Sequence, residues 1–177
     1  MHPEEAKLVA GAVPSRRAEF ATGRALLRSV VGDGDGGDGD GGPILRLPSR
    51  AAAMPAGWVA SLAHDHAVAV VAAARAQQFA AIGVDVEPEQ PADAELCAAV
   101  LRADDPAMHP TAAFVMKEAA YKAWSSLGGE ILGPLDVRLV LSGDEFTAHF
   151  PRPLPGLRGV AVCSGDRWWA LATVATT

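Results

Sequence analysis

Asp85 and Glu87 stand two residues apart in the stretch Ala81-Ile82-Gly83-Val84-Asp85-Val86-Glu87-Pro88. Such a stretch reads as a strand, so both carboxylates leave the same face, and Pro88 closes it. Glu118 and Lys122 are spaced i, i+4 in a helical pattern and share a face as well. Three hard carboxylate oxygens meeting in one place suit Mg²⁺, which takes a few carboxylates, water and substrate phosphate. The chain has three lysines, and two of them, Lys117 and Lys122, fall on this one helix. Arg17, Arg24 and Arg28 form a further cationic stripe, spaced i, i+7, i+11. Carboxylate-bound Mg²⁺ with Lys and Arg beside it is the equipment of phosphoryl chemistry, whose catalysis is mostly positioning and charge stabilisation. Taken alone, Glu118 and Lys122 are also what a solvated helix face carries, contributing only a few tenths of a kcal/mol. The chemical reading requires that Glu118 meet Asp85 and Glu87. His64-Asp65-His66 places two histidines on one face of an extended segment. No cysteine lies near them, and His2, His109 and His149 sit in unrelated contexts, so a closed four-ligand zinc site is not supported.

The elements that must position these groups follow from pattern. Pro3-Glu4-Glu5 opens a short helix, with the carboxylates at its positive end. Pro14-Ser15 starts a second over about 16–31, with Phe20, Gly23, Leu27 and Val31 on its core stripe. Residues 32–42 read GDGDGGDGDGG, without an apolar side chain to bury; this predicts a flexible loop rather than a dinucleotide or calcium loop. Residues 67–73 and 81–88 predict strands. Helices are expected over 92–102 and 111–127, the latter capped by Thr111 and stopped by Gly128-Gly129. Its apolar face is read as Met116, Ala120, Ala123 and Leu127, with Phe114 and Tyr121 bordering Glu118 and Lys122. Strands around 137–141, 146–150, 159–163 and 168–175 alternate with tight turns. Helices followed by an antiparallel meander make an α+β protein.

Composition bounds the function. The chain of 177 residues makes one average domain or two small lobes sharing a core. A formal charge of −6 argues against a nucleic-acid partner. The N-terminus has no apolar stretch of signal-peptide length, and the longest apolar run, Ala67 to Ala74, is too short to span a bilayer. Cys97 and Cys163 form neither a zinc pattern nor a disulfide framework, so a reducing cytoplasm is the expected location.

Four segments carry a resemblance to a known family. Arg16-Arg17-Ala18-Glu19-Phe20 with Gly23-Arg24 and Arg28 resembles an arginine-rich helix. Pro55-Ala56-Gly57 leading to Ser61-Leu62-Ala63-His64 resembles a serine–histidine motif. Gly83-Val84-Asp85-Val86-Glu87 is similar to a G-[IV]-D-x-E strand, and Phe114-Val115-Met116-Lys117-Glu118-Ala119-Ala120-Tyr121-Lys122-Ala123-Trp124 to an F-x-x-K-E-A-x-x-K-A-x helix. In this order they resemble the two-lobed 4′-phosphopantetheinyl transferases, of the subgroup typified by the enterobactin-synthetase component. Ala60 and Ala63 stand where the family usually has Gly and a hydroxyl residue, and Met54-Pro55 replaces Trp-Pro.

The resemblance implies two pseudo-symmetric α+β lobes, each an antiparallel sheet packed with helices. They would span 1–80 and 81–177, the first lobe trimmed because the residues that usually precede the Pro3-Glu4-Glu5 match are missing. It implies an enzyme that moves phosphopantetheine from coenzyme A to a serine of an acyl or peptidyl carrier protein, as in fatty-acid, polyketide or nonribosomal peptide synthesis, and releases 3′,5′-ADP. Asp85, Glu87 and Glu118 would hold Mg²⁺, or Mn²⁺ in its place. Glu118 would accept the serine proton, Lys122 would stabilise the leaving group, and Lys117 would assist. His64, Arg16, Arg17, Arg24 and Arg50 would bind the donor's phosphates. The chain would act as a monomer, without nucleic acid or membrane. The rival expectation is a relative that binds coenzyme A or carrier without turnover.

Overall fold

The computed structural model describes residues 1–32, 42–47, 51–65 and 67–176. Most of the Gly/Asp run (33–41), as well as Arg50 and His66, lies outside them. In chain order the elements are α1 (Pro3–Leu8), α2 (Pro14–Gly32), β1 (Trp58–His64), β2 (Ala69–Arg75), β3 (Phe79–Pro88), α3 (Ala94–Val100), α4 (Pro110–Ser126), β4 (Arg138–Ser142), β5 (Glu145–His149), β6 (Leu157–Ser164) and β7 (Arg167–Ala175). A single 3₁₀ turn, Pro134–Asp136, precedes β4. β1 and β2 form an antiparallel pair, and the second sheet runs β3-β7-β6-β5-β4, antiparallel throughout. The α+β class and the C-terminal meander expected from pattern are what the chain adopts. The two lobes are unequal: α2 packs on a two-stranded sheet and α4 on a five-stranded one.

α4 is the centre of the larger lobe. Ala112, Ala113, Val115, Met116, Ala119, Ala120, Ala123 and Trp124 are all buried, against Leu139, Phe146, Ala148, Ala170, Ala172 and Val174 of the sheet. The expected single apolar stripe is therefore too narrow, and Leu127, assigned to it, is 40% exposed. The helix is buried on nearly every side, because small alanines let sheet and loops close around it. What remains at the edge is the strip carrying Glu118, Tyr121, Lys122 and Ser125. The cap also differs from expectation. His109 Nδ1 accepts from the Thr111 amide at 3.3 Å, and Pro110 occupies the first helical position. Thr111 is buried instead, its hydroxyl accepting from the Gln90 amide at 3.2 Å.

β3 is buried on both faces. Val84 and Val86 meet Ala63, Val70 and Ala72 of the hairpin, while Ala81 joins the core around α4. Gly83 is what lets α4 reach β3. A Cβ there would stand 1.8 Å from the Ala119 carbonyl oxygen and 2.8 Å from the Ala123 amide nitrogen, with backbone that cannot swing aside. Gly83→Ala is therefore expected to cost about 3 kcal/mol or more, at or beyond the upper end of ordinary overpacking. Urea unfolding of the two chains checks this. A loss under about 1 kcal/mol would mean that helix and strand can separate cheaply.

The N-terminal lobe is tied by a carboxylate that charge pattern alone assigns to a helix end. Glu5 is fully buried. Its Oε1 accepts from Arg28 Nη1 at 2.6 Å and from the Ile44 amide at 2.9 Å, and its Oε2 from the His2 amide at 3.0 Å. Burial works to raise its pKa, but these donors outweigh that and hold it below the usual carboxylate range. The knot joins α1, α2 and the segment around Ile44, so Arg28 is structural rather than exposed on a stripe.

Candidate active site

A cavity of about 500 Å³ lies between α2, β1, β3 and α4. Most of its positive groups come from one part of the chain and most of its carboxylates from another, Glu19 beside Arg16 and His64 being the exception. Arg16, Arg24 and His64 with Arg46 belong to the N-terminal side, and Asp85, Glu87, Glu118 and Lys122 to the C-terminal side.

The cationic end is built on α2 and the end of β1. Arg16 Nη1 donates to Glu19 Oε2 at 3.0 Å and lies 3.1 Å from His64 Nε2. Arg24 is 4% exposed, its guanidinium 4.4 Å above the Phe20 ring. One of its nitrogens reaches the Leu45 carbonyl at 3.4 Å, and its buried Nε has no partner. Burial draws its pKa down, and only Glu5 opposes that, since Arg46 and Arg28 act in the same direction as burial. Arg46 lies 5.9 Å over the same Phe20 ring. A buried guanidinium with an unused donor is a costly group to leave unmatched, and an anion in the cavity would match it.

At the acidic end Asp85 and Glu87 of β3 line the same cavity as Glu118 and Lys122 of α4. Asp85 is 5% exposed. Its Oδ1 accepts from Lys122 Nζ at 2.7 Å, and Lys122 also donates to the Val84 carbonyl at 2.9 Å. Lys122 thus pairs across to β3 rather than along its own helix to Glu118. Burial raises the pKa of Asp85 in spite of this lysine. Glu87 is raised by burial and then by Asp85, Asp65 and Glu118, with Lys122 opposing. Glu118 is raised by burial and by Asp85, again against Lys122. Three carboxylates share one ammonium, and the end stays electrostatically under-compensated.

Among the described residues, no three acidic, histidine or cysteine side chains are gathered closely enough to hold a metal ion. The donor set nevertheless suits a hard divalent cation. It is all oxygen, it carries excess negative charge, and Asp85 Oδ2 is buried without any hydrogen-bond partner.

Two expected site residues stand elsewhere. Lys117 does not line the cavity. It is 1% exposed, donating to Asp105 Oδ2 at 2.6 Å and to the Val100 carbonyl at 2.8 Å. Asp105 also accepts from the Leu139 and Arg102 amides. One residue along a helix turns a side chain by about 100°, so Lys117 and Glu118 cannot serve the same face. The series Ala113, Lys117, Ala120, Trp124 at helical spacing was the available signal. Arg17 is exposed and donates to the Ala10 and Ala12 carbonyls at 2.7 and 2.8 Å, closing the turn before α2. Arg50 lies outside the described residues. Sequence reasoning missed Arg46 and gave Glu19 no role, and it placed Ser61 in the serine–histidine motif without its contact to β3. Glu19 is readable as an i, i+3 partner of Arg16. Arg46 is placed by pairing opposite Ala52, which no local pattern announces. Ser61 accepts the Val84 amide of β3 at 3.1 Å, a contact between strands that is not local either.

Among the described residues, no helix is long and apolar enough to cross a membrane. A family model described as the 4′-phosphopantetheinyl transferase N-terminal domain matches residues 4–74, the part of the chain that carries the cationic end. Three 4′-phosphopantetheinyl transferases are similar over far more. Svp of Streptomyces mobaraensis is 33% identical, across 96% of this chain and 74% of its own length. PptT of Mycobacterium tuberculosis is 32% identical across 81% of this chain and 66% of its own length. Npt of Nocardia iowensis is 28% identical across 97% and 84%. With both ends of one charged cavity inside the matched region, and the Svp likeness running almost the whole chain, this protein belongs to the 4′-phosphopantetheinyl transferase family.

Proposed function

We propose that the protein transfers 4′-phosphopantetheine from coenzyme A to a serine of an acyl or peptidyl carrier protein, with release of 3′,5′-ADP. The observation that carries this reading is the sorting of one cavity into a guanidinium–imidazole end and a carboxylate–ammonium end. A donor with a phosphate at one extremity and a pyrophosphate nearer its middle would engage both. Arg16, His64, Arg24 and Arg46 face the 3′-phosphate. Asp85, Glu87 and Glu118, drawn closer together than they stand here, would hold Mg²⁺, which when bound neutralises pyrophosphate charge.

The chain's own groups then do the following. Glu118 takes the proton of the carrier serine, and its burial-raised pKa makes it a stronger base than an exposed carboxylate. The serine oxygen forms a bond to the phosphorus that bears pantetheine, and the bridging P–O bond to 3′,5′-ADP breaks. Lys122 stabilises the negative charge left on the departing nucleotide. Lys117, held by Asp105, fixes α4 against the preceding loop and takes no direct part.

Apo acyl and peptidyl carrier proteins incubated with this chain, coenzyme A and Mg²⁺ test the proposal by intact mass. A phosphopantetheine adduct is expected. Binding of coenzyme A without an adduct on any carrier would make the protein a binding module. The phosphate assignment has its own check. His64→Ala and Arg16→Ala should raise KM for coenzyme A by about 10-fold or more, the cost of one charge-assisted bond, and 3′-dephospho-coenzyme A should be much less affected. Arg17→Ala should leave both donors unchanged, since its guanidinium is spent on the turn before α2.

A further inference from the structure

Asp65 follows His64 at the end of β1, and its side chain is only 3% exposed. Oδ1 accepts from the Ala67 and Val68 amides at 2.6 and 2.7 Å, which closes the turn into β2. Oδ2 makes a bond that this turn does not need: it accepts from Arg167 Nε at 2.6 Å, 102 residues along the chain. Arg167 opens β7 directly opposite Pro88, the last residue of the acid-bearing strand β3. Burial works to raise the pKa of Asp65, but the two amides and the Arg167 guanidinium hold it below the usual carboxylate range, so the pair is ionic at neutral pH.

The β1–β2 hairpin shares no main-chain ladder with β3 among the described residues. Apolar packing of Ala63 on Val84 and Val86 presses them together but leaves sliding cheap. Besides the bond from Thr176 Oγ1 to the Ala76 carbonyl at 3.0 Å, at the far end of β2, direction is supplied by two polar struts, the Val84 amide on Ser61 Oγ at 3.1 Å and Arg167 on Asp65. They bracket His64. A part-buried ion pair adds little net stability, but its directional bonds hold two elements in one alignment.

We propose that the Asp65–Arg167 ion pair is a positioning latch that holds His64 at the separation from Asp85 and Glu87 that the donor must span, and so sets the preference for a donor carrying a 3′-phosphate. This rests on the assignment of His64 to that phosphate. A displacement of about 1 Å at such a group is enough for a loss of about 100-fold, and Arg167 itself does not line the cavity.

The test compares kcat/KM for coenzyme A and 3′-dephospho-coenzyme A in wild type, His64→Ala, Arg167→Gln, Arg167→Lys and Asp65→Asn, with melting curves alongside. His64→Ala is expected to shrink the preference for coenzyme A about 10-fold. Arg167→Gln should shrink it comparably while the dephospho donor changes little, and Arg167→Lys should recover most of it. Asp65→Asn keeps the turn acceptor but faces Arg167 with an amide, and it should behave as Arg167→Gln does. If His64→Ala is selective while Arg167→Gln or Asp65→Asn lowers both donors equally, or neither, the latch is overturned and the His64 assignment stands. If His64→Ala is itself unselective, the phosphate assignment fails and the latch falls with it.

Discussion

Glu118→Gln should fold, melt higher than wild type without metal near neutral pH, and lose turnover by about 10²-fold or more. The rate loss follows from removing a positioned proton acceptor, which alone is worth about 10²–10⁴-fold. The stability gain follows from the sign of the pKa shift. Burial and Asp85 raise the Glu118 carboxyl above its ordinary value of 4.5. In that situation the folded chain binds the proton more tightly than the unfolded chain. The stability contributed is then complete below the ordinary pKa and is lost as pH rises through the folded one. At neutral pH the ionised cluster therefore costs stability, and Gln removes part of that cost while keeping the shape. Melting temperatures in chelator, followed from acidic to neutral pH, should show the two chains converging in acid and diverging upward for Glu118→Gln. Mg²⁺ should reverse the order, because a ligand that binds only the folded state stabilises it and the variant binds Mg²⁺ more weakly. Near wild-type turnover by Glu118→Gln would remove both the base and the metal assignment.

Lys122→Ala should lose about 10²–10³ in rate, the usual result of deleting one preorganised charge stabiliser, and added Mg²⁺ should not restore it. Lys122 sits where both of its acceptors, Asp85 Oδ1 and the Val84 carbonyl, belong to β3. Its loss leaves Asp85 buried with no ammonium beside it, and Asp85 should answer by holding its proton to higher pH. The pH–rate profile of Lys122→Ala should therefore shift its acidic limb upward. Asp85→Asn is the contrast. Its amide oxygen still accepts from Lys122, so the lysine stays in place, and only an anionic ligand is gone. Excess Mg²⁺ or Mn²⁺ should recover part of its activity. Metal rescue of Lys122→Ala, or its absence in Asp85→Asn, would show that the two groups do not have separate roles.

The sequence by itself determined the chemical inventory of β3 and α4. Strand periodicity puts Asp85 and Glu87 on one face, helix periodicity puts Glu118 and Lys122 on another, and these are backbone geometry, independent of what packs outside. The helical character of 14–32 and the antiparallel ladder β4 to β7 were legible for the same reason. Periodicity says which residues share a face, but not what each face meets. Arg17 and Arg24 belong to one stripe, yet only Arg24 lines the cavity, because the turn between α1 and α2 takes up the Arg17 guanidinium through the Ala10 and Ala12 carbonyls. The family resemblance implies a part for Lys117 at the site, yet helical spacing aligns it with Ala113, Ala120 and Trp124. Its bonds to Asp105 and the Val100 carbonyl offset the cost of burying its charge, and Asp105 comes from a loop whose path no local pattern describes. Lys122 chose Asp85 over Glu118 because Gly83 lets α4 touch the strand, a consequence of one missing Cβ. Glu5, Arg46 and the Asp65–Arg167 pair were decided by tertiary structure alone. Their partners lie far along the chain, and only the packed core fixes those separations.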